Sequence, residues 1–593
     1  MAYKSVNVGG ISNKRKYIYK INALSGGISP YDNRNDGALK DMSNMVFENG
    51  RLMPAGALIS ATKVQGSFHS ILDSEFEGNI LVHIGSGIFR FDGSELHLLK
   101  DRVADTKSVF LSMNGKAYLY TKAHEIYEIN GDLTCEAVGG YIPEITFSRD
   151  IMLKDFDVRE PVNLLTRRVK CSYQVTKIDG IIYTLPYDVD ENQEIVVYVG
   201  GVKDKSLNPI RTDKNKITMH GQASKDGDTV TIEFSVLDED GTFAEYFEGI
   251  YGCEKAFCYG GTSHDGTRAF LTANDDRKGV YFKSELKDPL YFPDINKEIL
   301  GDGSEKITAV QKRYEKLYFF TEKHIYAMHY EFSTEDGASF PVTEVYSPVG
   351  CDMKNTVRSV DNTPVFADRN SGIYILRSTD IFDELNVKHI SANLKGVWNM
   401  DKGSEAVFCA CDHDRKYYIC HNGVCFVWDY GATPYYDDSD AARAESRLSW
   451  YKLCGFDGCI YIFSFGGKLY FVRSGEETEI LQYDGQAQGE ELSYFETKGY
   501  DLDLYGTKRL YYISFDCAVY GEGGSVQAKF FADGKEYYLQ SFDIPPCDRR
   551  IKIKLPAYYA DRFGVRFTFD KARVGIGSLC FCYLPTEREK FNF

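Results

Sequence analysis

The stretch Tyr314–Tyr330 reads Tyr-Glu-Lys-Leu-Tyr-Phe-Phe-Thr-Glu-Lys-His-Ile-Tyr-Ala-Met-His-Tyr. Two short aromatic and β-branched runs, Leu317–Phe320 and Ile325–Met328, flank the small polar turn Thr321–His324. That pattern predicts a β-hairpin. The chain repeats it. Gly78–Gly93 (Gly-Asn-Ile-Leu-Val-His-Ile-Gly-Ser-Gly-Ile-Phe-Arg-Phe-Asp-Gly) and Gly115–Gly131 have the same form, and it returns at Thr267–Ser284, Asn362–Ser378, Arg415–Tyr430 and Gly467–Gly485. The second strands fall at Ile88, Ile126, Val280, Ile325, Ile373, Val424 and Ile480. Apart from the long interval between Ile126 and Val280, this spacing is close to the roughly 40–50 residues of a four-stranded propeller blade. A lone hairpin cannot bury its apolar face in water, but a ring of blades can. The expected fold is therefore all-β: a β-propeller of about seven blades, interrupted by an insertion.

Composition agrees. The chain has 593 residues, which sets a length expectation of about three to five domains. It contains 43 Tyr and 38 Phe against only 3 Trp, an aromatic excess that favours pleated strands. No window repeats apolar residues at helical spacing. No run of about 18 apolar residues occurs, so no membrane span is expected. The first residues, Met-Ala-Tyr-Lys-Ser-Val-Asn-Val-Gly-Gly, lack the apolar core of a secretion signal, so synthesis in a cytoplasm is expected.

The net charge is −17, with no Lys/Arg-rich run. Sequence-specific nucleic-acid binding through a basic groove is not expected. The acidity serves solubility, or repels DNA passing through a channel; the sequence supports both readings. Fifteen Cys include the pairs Cys409/Cys411, Cys580/Cys582, Cys253/Cys258, Cys420/Cys425 and Cys454/Cys459, none framed as a zinc site. Free, mostly buried thiols are expected.

Residues 1–60 read as an N-terminal arm followed by a docking and closure segment. The arm is Lys-rich around Asn13-Lys14-Arg15-Lys16. Then come Leu24-Ser25-Gly26-Gly27-Ile28-Ser29-Pro30, Asp36-Gly37-Ala38-Leu39-Lys40-Asp41-Met42-Ser43-Asn44-Met45-Val46, and Glu48-Asn49-Gly50-Arg51-Leu52, where Asn-Gly signals a hairpin. This order of turns resembles the opening of bacteriophage tail nozzle (tail tubular) proteins and packaged-DNA stabilisation proteins of short-tailed phages. The closing Arg-x-Gly of that family reads Pro54-Ala55-Gly56 here. Val280–Ser284 with Asp288–Pro293, Asp302-Gly303 with Ile307–Val310, Pro348–Cys351 with Ser359-Val360, and Trp450-Tyr451 are similar to later parts of the same family. The resemblance covers residues 22–60 and 255–500.

On this reading residues 61–140 hold blades one and two, 141–252 an inserted β-sandwich, 253–485 blades three to seven, and 486–593 a C-terminal β-sandwich. Propellers close by pairing strands from the two ends of the ring, so residues between about 40 and 65 are expected to complete the blade holding 460–485.

The motifs of chemistry are missing: no P-loop, no Gly-x-Ser-x-Gly, no His-Glu-x-x-His. His264-Asp265-Gly266 and Asp412-His413-Asp414 read as turns, and Asp437-Asp438-Ser439-Asp440 as a solvated acidic loop without the glycine and terminal Glu of a calcium loop. No catalytic, cofactor-binding or metal-ligating residue is assigned, no cofactor is expected, and an enzyme is not. The resemblance implies a structural protein of a phage virion, a head-tail connector or tail nozzle assembled in the host cytoplasm. It would form a homo-oligomeric ring, a hexamer by analogy, with other neck and tail proteins around duplex DNA, retaining packaged DNA and conducting it on ejection. The alternatives are a carbohydrate- or receptor-binding propeller of a tail tip and, further off, a propeller glycosidase with two carboxylates.

Overall fold

In Tyr314–Tyr330, Leu317 and Phe319 pack to one side of their sheet, and Tyr318 and Phe320 to the other. All four are nearly or fully buried. Period-two alternation normally separates an apolar face from a wet one. Here both faces are covered, which is why the run is apolar throughout. The turn is closed by Thr321, whose backbone N–H donates to His324 O (2.9 Å) while its Oγ1 accepts from the His324 N–H (2.9 Å).

The computed structural model describes residues 16–30, 37–150, 153–176, 182–203, 208–220, 229–238, 247, 249–261, 266–335, 337–377, 386–398, 407–431, 448–520, 524–570 and 572–586. Strands dominate, and the described helix consists of three 3₁₀ turns. Seven four-stranded antiparallel sheets stand out among the described residues. We number them I (68–100), II (108–138), III (253–299), IV (307–345), V (358–389), VI (409–456) and VII (459–484 with Ala57–Gln65). Each of the seven repeated hairpins forms the second and third strands of a different sheet.

Neighbouring sheets share apolar clusters in unbroken succession. Leu81 and Leu119 join I to II, Leu111 and Leu271 join II to III, and Phe270 and Phe319 join III to IV. Phe320 and Phe366 join IV to V, while Ile375, Ile419 and Phe471 belong to the cluster that runs through V, VI and VII. Phe91 meets Phe463 and Tyr470 of VII edge-on, with centroids 6.0 and 5.1 Å apart, and so brings VII back against I. The result is a propeller-like ring whose first strands lie side by side around an axis.

Sheet VII draws its fourth strand from the opposite end of the chain. Ala57–Gln65 pairs antiparallel with Glu477–Asp484, from Gln65 opposite Glu477 to Ala57 opposite Asp484. Residues 39–54, which the sequence reading also offered for this blade, go elsewhere. Leu39–Ser43 enters a sheet with Ser493–Thr497, Phe563–Asp570, Gly524–Ala532 and Lys535–Ile544. Met45–Glu48 and Arg51–Pro54 enter a second sheet with Val574–Pro585, Lys508–Val519 and Arg549–Lys554. Tyr17–Ile21 adds to that second sheet beside residues 579–583. The two sheets face one another through Phe515 and Phe567, centroids 5.0 Å apart.

The N-terminal segment therefore acts as a clasp between ring and C-terminal sheets. Asn49 and Gly50 take φ of 50° and 76°, the pairing an Asn-Gly hairpin turn requires. The Ile28 N–H donates to Trp450 O (2.7 Å), and the Asn44 N–H to Lys452 O (2.9 Å). Asn44 Oδ1 accepts from the Cys454 N–H (2.6 Å), and the Gly56 N–H donates to the Tyr483 hydroxyl (3.0 Å). Gly27 has φ +65°, and a Cβ there would lie 2.5 Å from Trp450 N. The apolar residues of this turn-rich segment are thus buried contacts: Leu24, Ile28, Leu39, Met42, Met45 and Leu52 are all fully buried.

Between sheets II and III the chain forms a six-stranded sheet and a three-stranded sheet that share one core around Val169, Ile217 and Phe234. One of its pairings, Glu144–Ser148 with residues 170–174, is parallel. Its root is not a free linker. Asn163 Nδ2 donates to Tyr141 O and Leu290 O (both 2.8 Å), Asn163 Oδ1 accepts from the Phe292 N–H (2.9 Å), and Tyr251 donates to Leu165 O (2.7 Å). Val162, Leu164, Leu165, Ile250 and Tyr251 fill the cluster between II and III. Arg168 and Leu237 lie opposite each other as strand partners. Replacing 168–237 by a short Gly/Ser linker should leave one cooperative melting transition, since a surface loop is shortened at small entropic cost. Replacing all of 141–252 removes the buried root and should lower the melting temperature; thermal melts of the two variants check this.

Candidate functional site at the ring axis

The first strands of I, II and III, namely Phe68–Ile71, Ser108–Met113 and Cys253–Tyr259, line a cavity of about 500 Å³ at the axis, with Asn355 and Tyr461 on its far side. Inner strands start at one mouth of the ring and end at the other, because the chain crosses from the outer edge of one sheet to the inside of the next. Residues just before each inner strand therefore gather at one mouth.

There Lys107, Lys306 and Lys354 meet Glu254, at the start of an inner strand, and Asp275, just after a second strand, in a chain of ion pairs. Lys107 reaches Glu254 Oε1 (2.6 Å), Lys354 bridges Glu254 Oε2 (3.0 Å) and Asp275 (2.9 Å), and Lys306 completes the series on Asp275 (3.2 Å). Burial works against the Glu254 carboxylate, but Lys107 and Lys354 outweigh it and hold its pKa below the usual value. Lys255 donates instead to Asn355 Oδ1 (2.6 Å), and burial lowers its pKa. Tyr461 donates to Asp73, and Arg358 lies over the Tyr461 ring at 5.8 Å. Burial opposes the Arg358 charge, but Tyr461 and Asp73 raise its pKa nonetheless.

A second group sits between I and II. His69 Nε2 is 2.6 Å from Asp105, and its ring lies 4.7 Å from that of His83. His83 Nδ1 meets Ser108 Oγ (2.7 Å), which meets Ser70 Oγ (2.6 Å). His83 is fully buried, and burial first, with His69 second, lowers its pKa to about 4. At neutral pH it is an uncharged hydrogen-bonding partner, and a base this weak is a poor match for proton transfer near pH 7. Its folded pKa lies below the unfolded value of 6.5, so its contribution to stability is complete above pH 6.5 and lost as pH falls towards 4.

The turn at Asp412-His413-Asp414 lies at the other mouth, where the inner strand of VI ends. Asp414 and the following Arg415 form the turn, with φ of 48° and 56°. His413 Nδ1 meets Ser464 Oγ (2.8 Å), while Asp412 accepts from the Tyr430 hydroxyl (2.8 Å), so the two side chains serve different partners. Burial raises the Asp412 pKa to about 6, with Asp361 adding to the effect. The sign is opposite to that of His83: a carboxyl that folds more easily protonated loses stability as pH rises from about 4 to 6. Asp412→Asn should therefore melt higher than the parent at pH 7 and match it near pH 4; paired melts across that range check it.

His264, Asp265 and Asp437–Asp440 lie outside the described residues. Among the described residues no group of three or more His, Cys, Asp and Glu could hold a metal ion, and no helix is long and apolar enough to cross a membrane. All fifteen cysteines are free thiols, most of them buried. The sequence reading did not single out Asp73, Lys255, Asn355, Arg358 or Tyr461, since they come from four different sheets and form no local motif.

No family model matches the chain, and no curated protein matches it. Among solved structures, BamB from Moraxella catarrhalis aligns at 9% identity over 73% of this chain and 100% of its own, with a TM-score of 0.32. BBS1N in complex with ARL6DN aligns at 8% over 76% and 99%, with a TM-score of 0.33. An exo-beta-1,3-galactanase from Phanerochaete chrysosporium aligns at 10% over 55% and 96%, with a TM-score of 0.20. Likeness this remote carries no argument about activity or partners. The chain is a nearly all-β, propeller-like protein on the strength of its own strand pairings.

Proposed function

We propose that the chain is a structural subunit of a phage virion: a seven-bladed β-propeller with an inserted β-sandwich and a C-terminal β-sandwich. Copies assemble in the host cytoplasm into a ring, a hexamer by analogy, at the neck or tail, where it retains packaged DNA and conducts it on ejection. The protein acts mechanically, without catalysis. The observation behind this reading is the clasp. The segment that resembles phage nozzle and stabilisation proteins supplies strands to both C-terminal sheets and to sheet VII. It ties ring and C-terminal sheets into one rigid unit, as a ring under mechanical stress requires.

The DNA path in this reading lies between subunits. An axial cavity of about 500 Å³ crossed by side chains cannot admit a duplex whose major groove alone is about 12 Å wide. The net charge of −17 keeps a passing duplex from sticking. Negative-stain microscopy of the purified chain and of virions tests the proposal: rings with a central channel, and the chain present in particles, are expected. A monomer absent from virions overturns it. A propeller glycosidase is the second reading, drawing on Asp412 with Asp361 near it. Hydrolysis of polysaccharide that Asp412→Asn abolishes would favour that reading.

A further inference from the structure

In and beside the axial cavity, Lys107, Lys255, Lys306, Lys354 and Arg358 face the carboxylates of Asp73, Glu254 and Asp275, while His69 and Asp105 pair with each other. Lys107 and Lys354 share Glu254, Lys354 and Lys306 share Asp275, and Arg358 is served by Tyr461 and Asp73. Lys255, which lines the cavity, donates to a neutral partner, Asn355 Oδ1, and makes no ion pair among the described residues, although Asp73 and Glu254 favour its charge from further away. An ammonium has three N–H groups. A partly buried one with a single neutral acceptor is costly to keep charged unless an anion joins it. The cavity it faces falls within the roughly 300–1,000 Å³ range of small-molecule sites. Its walls combine Phe257 and Leu111 with the hydroxyls of Ser70 and Ser108.

We propose that the axial cavity binds a small polar molecule through a single carboxylate seated on the remaining N–H groups of Lys255. One compact ammonium, with no arginine fork aimed into the cavity, suits a monoanion better than a phosphate dianion. The ligand class is a carboxylate of monosaccharide size or smaller, whose hydroxyls meet the serines and whose ring lies against Phe257. This site is independent of the virion reading: a ring subunit and a tail-tip receptor could both carry it.

The test uses the full chain at fixed ionic strength, with glucuronate as the probe, glucose as its uncharged counterpart and inorganic phosphate as a competing anion. Glucuronate should raise the melting temperature and give a binding isotherm, whereas glucose should do neither. Lys255→Met should weaken glucuronate binding about tenfold or more, the worth of one charge-assisted hydrogen bond. Asn355→Asp places a carboxylate beside Lys255 within the chain itself, at a backbone of φ 66° that Asp tolerates. It should raise the melting temperature and abolish the glucuronate response, which keeps the test decisive if Lys255→Met folds badly. The proposal is overturned if the parent ignores glucuronate, if phosphate alone stabilises it, or if Asn355→Asp responds as the parent does.

Discussion

Deleting residues 1–65 leaves a chain that is insoluble or melts far below the parent, whereas deleting residues 1–15 leaves melting nearly unchanged. The longer deletion strips Ala57–Gln65 from sheet VII and opens the edge of Glu477–Asp484. It also takes Leu39–Ser43 and Met45–Pro54 from the two C-terminal sheets, and Tyr17–Ile21 from beside residues 579–583. Leu24, Ile28, Leu39, Met42, Met45 and Leu52 go with it, all fully buried. Each apolar side chain of that kind is worth about 1.5–3 kcal/mol in burial, so these six alone come to roughly 9–18 kcal/mol, as large as the roughly 5–15 kcal/mol that holds a domain together. The shorter deletion contains none of these pairings. Equal melting temperatures for the two variants would mean that the ring does not depend on the clasp.

The second large effect belongs to one side chain. Trp450→Ala should cost about 3–5 kcal/mol, the usual penalty for hollowing a buried aromatic site. Trp450 is fully buried and stacks on Trp428 with centroids 6.1 Å apart and planes 22° from parallel. Its Nε1 donates to Ile390 O (2.8 Å), which joins sheets V and VI. Its carbonyl accepts from Ile28 of the clasp. The substitution therefore leaves a cavity and an unpaired carbonyl at the point where ring and clasp meet. Trp450→Phe restores the volume in part but not the hydrogen bond, so it should fall between the parent and Trp450→Ala. Denaturant titration of the three proteins gives the order, and an alanine variant within about 1 kcal/mol of the parent would contradict this account of the site.

What the sequence disclosed follows from distance along the chain. The second and third strands of each sheet are adjacent in sequence, tight at the turn and apolar on both faces, so Lys316–Thr321 and Ile325–Met328 announce themselves. The inner strands do not. Arg358–Val360 is three residues long, and Cys253–Tyr259 mixes Glu254 and Lys255 into its run because it borders the cavity. Residues 486–593 were legible as a run of strands, most plainly where Arg509–Phe515 alternates, and the strands there span 508–519, 524–532, 549–554, 563–570 and 574–585. Which strands they pair with was not. Tyr17 meets Tyr583, and no local pattern reports a partner at the other end of the chain. The parallel pairing of 144–148 with 170–174 was hidden for a related reason, since parallel neighbours need a long connection. The axial cluster was the least legible part: Asp73, Lys255, Asn355 and Tyr461 are unremarkable singly and acquire meaning only when four sheets converge.

The borrowed strand of sheet VII also imposes a timetable on synthesis. Gln65 waits for Glu477, a partner 412 residues further along. At about 5–20 residues per second, translation takes roughly 20–80 s to deliver it. Throughout that interval six sheets can form while the seventh does not exist, and the nascent arc ends in unpaired strand edges. Closing such a long loop is entropically late as well as kinetically late. Newly made chains should therefore pass through an open, edge-exposed arc that survives long enough to meet a chaperone, a protease or another copy. A nick anywhere between residues 66 and 458 in the finished protein, by contrast, leaves Ala57–Gln65 joined to Glu477–Asp484 by non-covalent contacts only, its own pairing together with those of the clasp.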